Sequence, residues 1–162
     1  MTARLVLALL ALPALLASAA CAPRARPAAP ATPEQDVQAA LAHYADLVQK
    51  MDSPGIAAMF APDGEIVNPG QTPVHGPAAI EAFLKQFEGF KVLSETMTAD
   101  TTTVTGASAV QTGSYRQTVR TPDGQTLNVS GGFEAEWIRD AAGVWRLRRL
   151  GTKPSARQDA VS

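Results

Sequence analysis

Few side chains in this sequence have the chemistry of a nucleophile, a metal ligand or an acid–base catalyst near neutral pH. The 162 residues include one cysteine, Cys21, and two histidines, His43 and His75. Their spacing does not match a tetrahedral zinc site, and a lone cysteine forms no intramolecular disulfide. We therefore expect no metal and no cofactor. His75 is the one candidate for acid–base catalysis, and its alternative interpretation is an exposed loop histidine.

A second group with possible chemistry is a pair of carboxylates two residues apart, Glu134 and Glu136. Such a pair is typical of acid–base catalysis only when both groups are buried. Phe133, Ala135 and Trp137 alternate with them, so one strand face is apolar and the other is acidic. We expect the apolar face to point inward and both glutamates to face solvent or a protein interface.

Cys21 itself belongs to a targeting motif. Arg4 precedes an apolar run of 12 residues, 5–16, which is shorter than the roughly 20 residues that span a bilayer. The following stretch, Ala17-Ser18-Ala19-Ala20-Cys21, resembles the lipobox of bacterial lipoproteins, which implies lipidation at Cys21. Ordinary signal cleavage after Ala20 is the alternative. Because Ala22 stands where many inner-membrane lipoproteins have aspartate, we expect export and an outer-membrane anchor facing the periplasm.

The composition indicates one folded domain. We predict a lipoprotein signal peptide at 1–20, a lipidated cysteine with a Pro/Ala-rich linker at 21–33, a domain at 34–153 and a C-terminal tail at 154–162. Without Arg4, Arg24 and Arg26, which precede the domain, 11 basic residues remain against 15 acidic ones, a net charge of −4. This charge predicts no nucleic-acid partner.

The hydrophobic periodicity places helices first and strands after them. Thr32 is a good N-cap for a helix whose apolar stripe recurs every three or four residues. A short helix over 53–60, a turn at Pro62-Asp63-Gly64, a strand over 65–68 and a helix from Pro77 follow. Strands are predicted at about 91–105, 108–120, 126–139 and 144–151, separated by glycine-containing turns. This order predicts an α+β fold with an antiparallel meander. The stripe consists of Val37, Leu41, Tyr44, Val48 and Met51.

The domain resembles the nuclear transport factor 2-like superfamily, in particular its SnoaL-like and ketosteroid-isomerase-like branches. The resemblance covers about residues 34–153 and implies a cone in which three N-terminal helices pack in a curved antiparallel sheet with one open pocket. It also implies a homodimer formed through the outer face of the sheet. The residues that carry it are Tyr44, the run 56–63 (IAAMFAPD), Asn68-Pro69, the run 76–80 (GPAAI) and the run 143–147 (GVWRL).

The resemblance also implies roles for individual positions. Tyr44 stands where the isomerase has its oxyanion-hole tyrosine, and Asn68 stands where it has its general-base aspartate. The second oxyanion donor, an aspartic acid, corresponds to Ala135. A carboxamide does not take a proton from carbon at neutral pH, and alanine donates no hydrogen bond. We therefore expect that this protein is not a ketosteroid-type isomerase.

A small-molecule pocket is nevertheless expected, with Tyr44, Asn68, His75 and Trp137 as ligand-binding residues and with Tyr115 as a further polar candidate. The favoured function is a lipid-anchored, non-catalytic domain that binds a small apolar ligand. One alternative is a SnoaL-like cyclase, hydratase or hydrolase acting on a small apolar substrate, and another is a dimerisation or interaction module.

The expected homodimer also has a motivation in the sequence. Leu93 and Met97 recur at strand spacing in the first long strand. We expect them to lie on the outer face of the sheet, where a partner subunit would cover them.

Overall fold

The computed structural model describes residues 31–155 and the backbone of residues 159–161. The described residues form one compact unit. Cys21 and the predicted signal peptide lie outside the described residues. None of the helices in the described range is both long and apolar enough to cross a membrane.

Three helices come from the N-terminal half of the domain: α1, Pro33–Lys50; α2, Ser53–Ala58; and α3, Pro77–Lys85. The predicted start of α1 is confirmed by a capping box, in which the Gln35 backbone N–H donates to Thr32 Oγ1 and the Thr32 backbone N–H donates to Gln35 Oε1. These bonds satisfy two amide groups that a helix N-terminus leaves unpaired. The cap fixes the residue at which the helix begins. Tyr44 lies on the face of this helix that is buried.

The helices pack against a curved, unclosed sheet in which the strand order is β2-β1-β6-β5-β4-β3. β1 runs parallel to β6, and the other neighbours along this path are antiparallel. The short β7 pairs with β5 beside this path. The strands are β1, Phe60–Val67; β2, Val74–His75; β3, Lys91–Thr105; β4, Ser108–Arg120; β5, Thr126–Arg139; β6, Trp145–Pro154; and β7, Asp159–Val161.

The start of β1 differs from the sequence prediction. The predicted second helix ends at Phe60, whereas α2 ends at Ala58 and Phe60 already pairs with Leu147 of β6. The Pro-Asp-Gly segment predicted as a turn lies inside β1, at a register shift between Phe60 and Glu65. A Cβ on Gly64 would lie 2.6 Å from the Leu147 carbonyl oxygen, so this bulge requires glycine. The parallel pairing with β6, which is remote in sequence, overrides the local turn signal.

The prediction that Leu93 and Met97 share the outer face of β3 is wrong. The pairing with β4 shifts register between Val92 and Ser94, and this bulge puts Leu93 and Met97 on opposite sides of the sheet. Leu93 is exposed, whereas Met97 packs against the core. The two residues therefore form no common outer patch. The homodimer stays a prediction, but a shared apolar patch of Leu93 and Met97 no longer supports it.

The core lies between the helices and the concave face of the sheet. Among the residues the structure describes, the largest fully buried side chains include Trp137 on β5 and Leu147 on β6. Leu41 of α1 and Ile80 of α3 close the core from the helix side. The expected strand faces are confirmed, since Phe133 and Ala135 are buried with Trp137 on β5. One opening in the described part of the chain is lined by residues of α1, α2, the end of α3, β3 and β4.

Candidate functional site

This opening is a cavity of about 230 Å³. Helix α1 and the start of α2 form one wall, β3 and β4 form the opposite wall, and residues 84–90 close one side. Of the eleven lining side chains, nine are apolar apart from the Tyr44 hydroxyl. The other two, Ser53 and Gln117, are polar. The full lining is Tyr44, Val48, Met51, Ser53, Ile56, Leu84, Phe87, Phe90, Val92, Gln117 and Val119. Such a mostly apolar cavity with a few polar groups is typical of a small-molecule site.

Tyr44 is the one predicted ligand residue in this cavity. It lies on the buried stripe of α1, and its ring meets Phe60 edge to face at a centroid distance of 6.4 Å. Burial, followed by the nearby Glu95 carboxylate, raises the pKa of the Tyr44 hydroxyl far above its ordinary value. The hydroxyl therefore stays protonated and is a hydrogen-bond donor at every physiological pH.

Glu95 is the unusual group of the site. It lies on β3 directly opposite Gln117 of β4, and Tyr115 is its diagonal neighbour on the same face. The Glu95 Oε2 atom is buried without a hydrogen-bond partner. Burial raises the pKa of the Glu95 carboxyl to about 7, and a hydrogen bond with the Gln117 side chain opposes this shift. The group therefore changes charge near neutral pH, as acid–base and ligand-binding carboxyls do.

Sequence reasoning did not identify Glu95. A usable signal was present, because Glu95 shares a two-residue alternation with Met97 and Ala99, so that a carboxylate occurs in phase with inward-facing apolar residues. The bulge after Val92 hides this signal, since it shifts the alternation by one residue. Tyr115, named as a further candidate, does lie next to Glu95, and burial followed by Glu95 raises its pKa.

The position of Glu95 predicts a pH-dependent stability. A carboxyl whose pKa is higher in the folded state holds its proton more tightly there than in the unfolded chain. Unfolding free energy therefore falls as pH rises from about 4.5 to about 7. We expect Glu95→Gln to remove this fall and to be more stable than wild type by about 1–2 kcal/mol at pH 8, a value that allows for the partial exposure of the group. Urea unfolding at pH 4.5, 6 and 8 measures this.

Glu134→Gln is the matched control for this experiment, because Glu134 is exposed on the outer face of β5. The control removes the same charge without changing a buried group. We expect it to retain the wild-type dependence of stability on pH. Equal pH profiles for Glu95→Gln and wild type would contradict the burial of the carboxyl.

Asn68 lies away from the cavity, at the end of β1. Its Oδ1 accepts a hydrogen bond from Thr152 Oγ1 over 2.7 Å, and its Nδ2 donates to Gln71 Oε1 over 3.4 Å. The Gln71 backbone N–H donates to the Asn68 carbonyl oxygen, which closes the turn after the strand. The carboxamide oxygen thus joins this turn to β6, and its nitrogen is bonded within the turn.

His75 lies on the outer surface rather than at the cavity mouth. Its side chain is exposed, and Nδ1 lies 3.3 Å from Glu65 Oε2. Arg149 Nε approaches the other oxygen of Glu65 at 3.5 Å. His75 therefore belongs to a mixed-charge surface cluster with Glu65 and Arg149, separate from Tyr44. His43 is also exposed, as expected.

Trp137 is a core residue in this structure. Its side chain is 1% exposed, and Nε1 donates to Gln111 Oε1 over 2.9 Å. Gln111 is fully buried and donates in turn to Thr102 Oγ1 and Gln38 Oε1. With its only polar atom paired, Trp137 does not line the cavity. Of the four predicted ligand residues, the structure brings only Tyr44 to the cavity.

The described residues contain no group of three His, Cys, Asp or Glu side chains arranged to hold a metal ion. None of the eleven residues that line the cavity carries a charge. Glu95 is the charged group that perturbs both Tyr44 and Tyr115. The cavity can therefore hold a small molecule next to Tyr44 and Gln117, with the Glu95 carboxyl beside these two residues.

Comparison with known proteins gives a consistent fold. The family model described as a SnoaL-like domain matches residues 30–151. A ketosteroid isomerase-like protein from Erwinia carotovora atroseptica superposes with a TM-score of 0.70 at 18% identity, covering 76% of this chain and 97% of the other. A nuclear transport factor 2-like protein with a cystatin-like fold from Novosphingobium aromaticivorans superposes with a TM-score of 0.60 at 22% identity, covering 72% and 78%.

One curated relative carries a named activity. It is a steroid Δ-isomerase from Nocardioides simplex, which is 43% identical over 61 residues, or 37% of this chain. The aligned stretch spans half the length of that relative. The similarity is therefore to part of the isomerase only.

Proposed function

The chain belongs to the SnoaL-like domain family, and on that premise we propose that its domain binds a small, largely apolar molecule in the cavity beside Tyr44. We propose further that binding, rather than catalysis, is the main role of the domain, in an exported protein held at a membrane by lipid on Cys21. The observation that carries the ligand proposal is the cavity of about 230 Å³ with its apolar lining. This volume is below the ~300–1,000 Å³ of sites for drug-sized ligands, which favours a smaller molecule.

Two positions argue against steroid isomerisation as the function, although a partial relative is named for that activity. Asn68, at the position of the isomerase base, has its carboxamide bound to Thr152 and Gln71. Ala135, at the position of the second oxyanion donor, is fully buried and has no polar side chain. A ligand in the cavity would meet neither the base nor the acid of the isomerase.

The ligand proposal is tested by filling the cavity from one strand. Val119 on β4 lines the cavity, whereas Val110 on the same strand is an exposed residue of the outer face. We expect Val119→Phe to weaken binding of a small aromatic probe such as 3-phenyl-1-propanol by at least about tenfold, because the added ring occupies the ligand volume. Isothermal titration calorimetry of the purified full chain measures the change.

Val110→Phe is the matched control and is expected to bind the probe as wild type does. Any nonspecific partition of the probe into detergent is the same for both variants, so it cancels when their affinities are compared. Circular dichroism shows whether both variants are folded. Equal affinity of the two folded variants would contradict the cavity as the ligand site.

A second candidate function is an enzyme of another SnoaL-like type, such as a cyclase, hydratase or hydrolase. The observation that favours it is Glu95, whose carboxyl has a pKa of about 7. A group with such a pKa is able both to donate and to accept a proton at neutral pH. In this alternative Glu95, and not His75, is the acid–base residue.

A further inference from the structure

The Glu95 carboxyl has unused hydrogen-bonding capacity beside the cavity. It is not itself a lining residue, but its neighbours Tyr44 and Gln117 both line the cavity. Glu95 lies directly across the strand pair from Gln117, and its Oε2 atom is buried without a partner. A buried acceptor without a donor is costly, and a ligand that supplies a donor removes this cost.

The lining also suits a cation. Phe87 and Phe90 meet edge to face with a centroid distance of 6.0 Å, and both line the cavity together with Tyr44. Aromatic faces attract ammonium groups, and the attraction is largest where water is excluded. An aromatic lining with one carboxylate beside it, next to Tyr44 and Gln117, is a combination that suits an organic cation.

We propose that this cavity binds a ligand whose small apolar body carries a protonated amine, with the Glu95 carboxylate as its counter-ion. The inference rests on the proposed ligand-binding function and names the chemical class of the ligand. An uncharged alcohol of the same shape satisfies Glu95 less well, because hydrogen bonds between charged groups are stronger than those between neutral ones.

None of the described side chains that face Glu95 acts as its counter-ion. Tyr44 faces it from α1, and Tyr115 and Gln117 face it from β4. Both tyrosines remain protonated because burial and Glu95 raise the pKa of each. None of these three side chains carries a positive charge. An ammonium ligand would be the first cation to neutralise the carboxylate.

The charge of Glu95 makes this ligand class testable by pH. An alkylamine with a pKa near that of lysine, about 10.4, is protonated at both pH 5.5 and pH 8.5. Glu95, with a pKa of about 7, is mostly neutral at the lower of these values and ionised at the higher. Amine binding should therefore strengthen as pH rises, whereas binding of a neutral alcohol should not.

The experiment compares 3-phenylpropylamine with 3-phenyl-1-propanol on the purified full chain by isothermal titration calorimetry at pH 5.5 and 8.5. We expect the affinity ratio of amine to alcohol to rise by about tenfold between the two pH values in wild type. In Glu95→Gln the ratio should be the same at both pH values. Glu134→Gln, which removes an exposed charge outside the cone, should behave as wild type.

The outcomes separate this inference from the proposed function. Binding of the alcohol without a rise in the amine ratio overturns the amine inference and leaves the cavity as a site for neutral ligands. A rise that persists in Glu95→Gln also overturns it, because another group is then the counter-ion. Binding of neither probe contradicts both proposals.

Discussion

Replacing Trp137 with alanine is expected to lower the unfolding free energy by about 3–5 kcal/mol without removing a ligand contact. Trp137 is among the largest fully buried side chains of the described residues and belongs to the hydrophobic core. The substitution leaves a large cavity and also deprives Gln111 Oε1 of its donor at 2.9 Å. Both losses are of the kind that produce large destabilisation.

Urea unfolding of Trp137→Ala, with Val144→Ala as the control, measures this effect. Val144 is an exposed apolar residue near the start of β6, and its truncation should change stability by less than about 0.5 kcal/mol. Trp137 was predicted from sequence as a ligand residue, and the two roles give opposite results. If Trp137→Ala were as stable as wild type but no longer bound the probe, Trp137 would be a ligand-binding residue instead.

Most of the elements could be predicted because their signals are local. Turns that contain glycine or aspartate follow β3, β4 and β5, and the bounds predicted for these three strands agree with the structure. The Thr32 capping box likewise depends on four consecutive residues. Turns and caps are fixed by short-range hydrogen bonds, so the sequence alone specifies them.

The errors occur where a remote partner decides the local structure. β1 begins at Phe60 because it adds in parallel to β6, which is more than eighty residues later. The bulge after Val92 depends on the pairing of β3 with β4, and it decides that Glu95 faces inward and Leu93 outward. A register shift of one residue exchanges the two faces of a strand, and periodicity does not show where that shift occurs.

The sequence placed only some of the predicted ligand residues correctly, again because remote partners decide where the others lie. Tyr44 was found because it belongs to the helix stripe, whose burial is a local pattern. Asn68, His75 and Trp137 were assigned to one pocket from the family resemblance, and the structure puts them at a turn, on the outer surface and in the core. A shared fold thus located the cavity but did not specify which side chains line it.

Replacing Cys21 with serine is expected to move the protein from the membrane fraction to the soluble fraction, or to leave it unprocessed. Lipidation at a lipobox cysteine supplies a diacylglycerol group, and serine has no thiol to receive it. Burial of acyl chains contributes about 0.8 kcal/mol per methylene, and two or more chains anchor stably whereas one does not. Processing before Cys21 removes the apolar run at 5–16, so this run does not anchor the processed protein.

Fractionation of cells that express wild type, Cys21→Ser and Ala22→Ser, followed by immunoblotting, measures the change. Ala22→Ser is the matched control, since it makes a similar small change beside the cysteine and keeps the thiol, and it should remain in the membrane fraction. Mass spectrometry of the N-terminal peptide should show the acyl chains in wild type and in the control. Unchanged membrane association of a Cys21→Ser protein that has been processed would contradict the lipid anchor and favour ordinary cleavage after Ala20, with another contact holding the protein at the membrane.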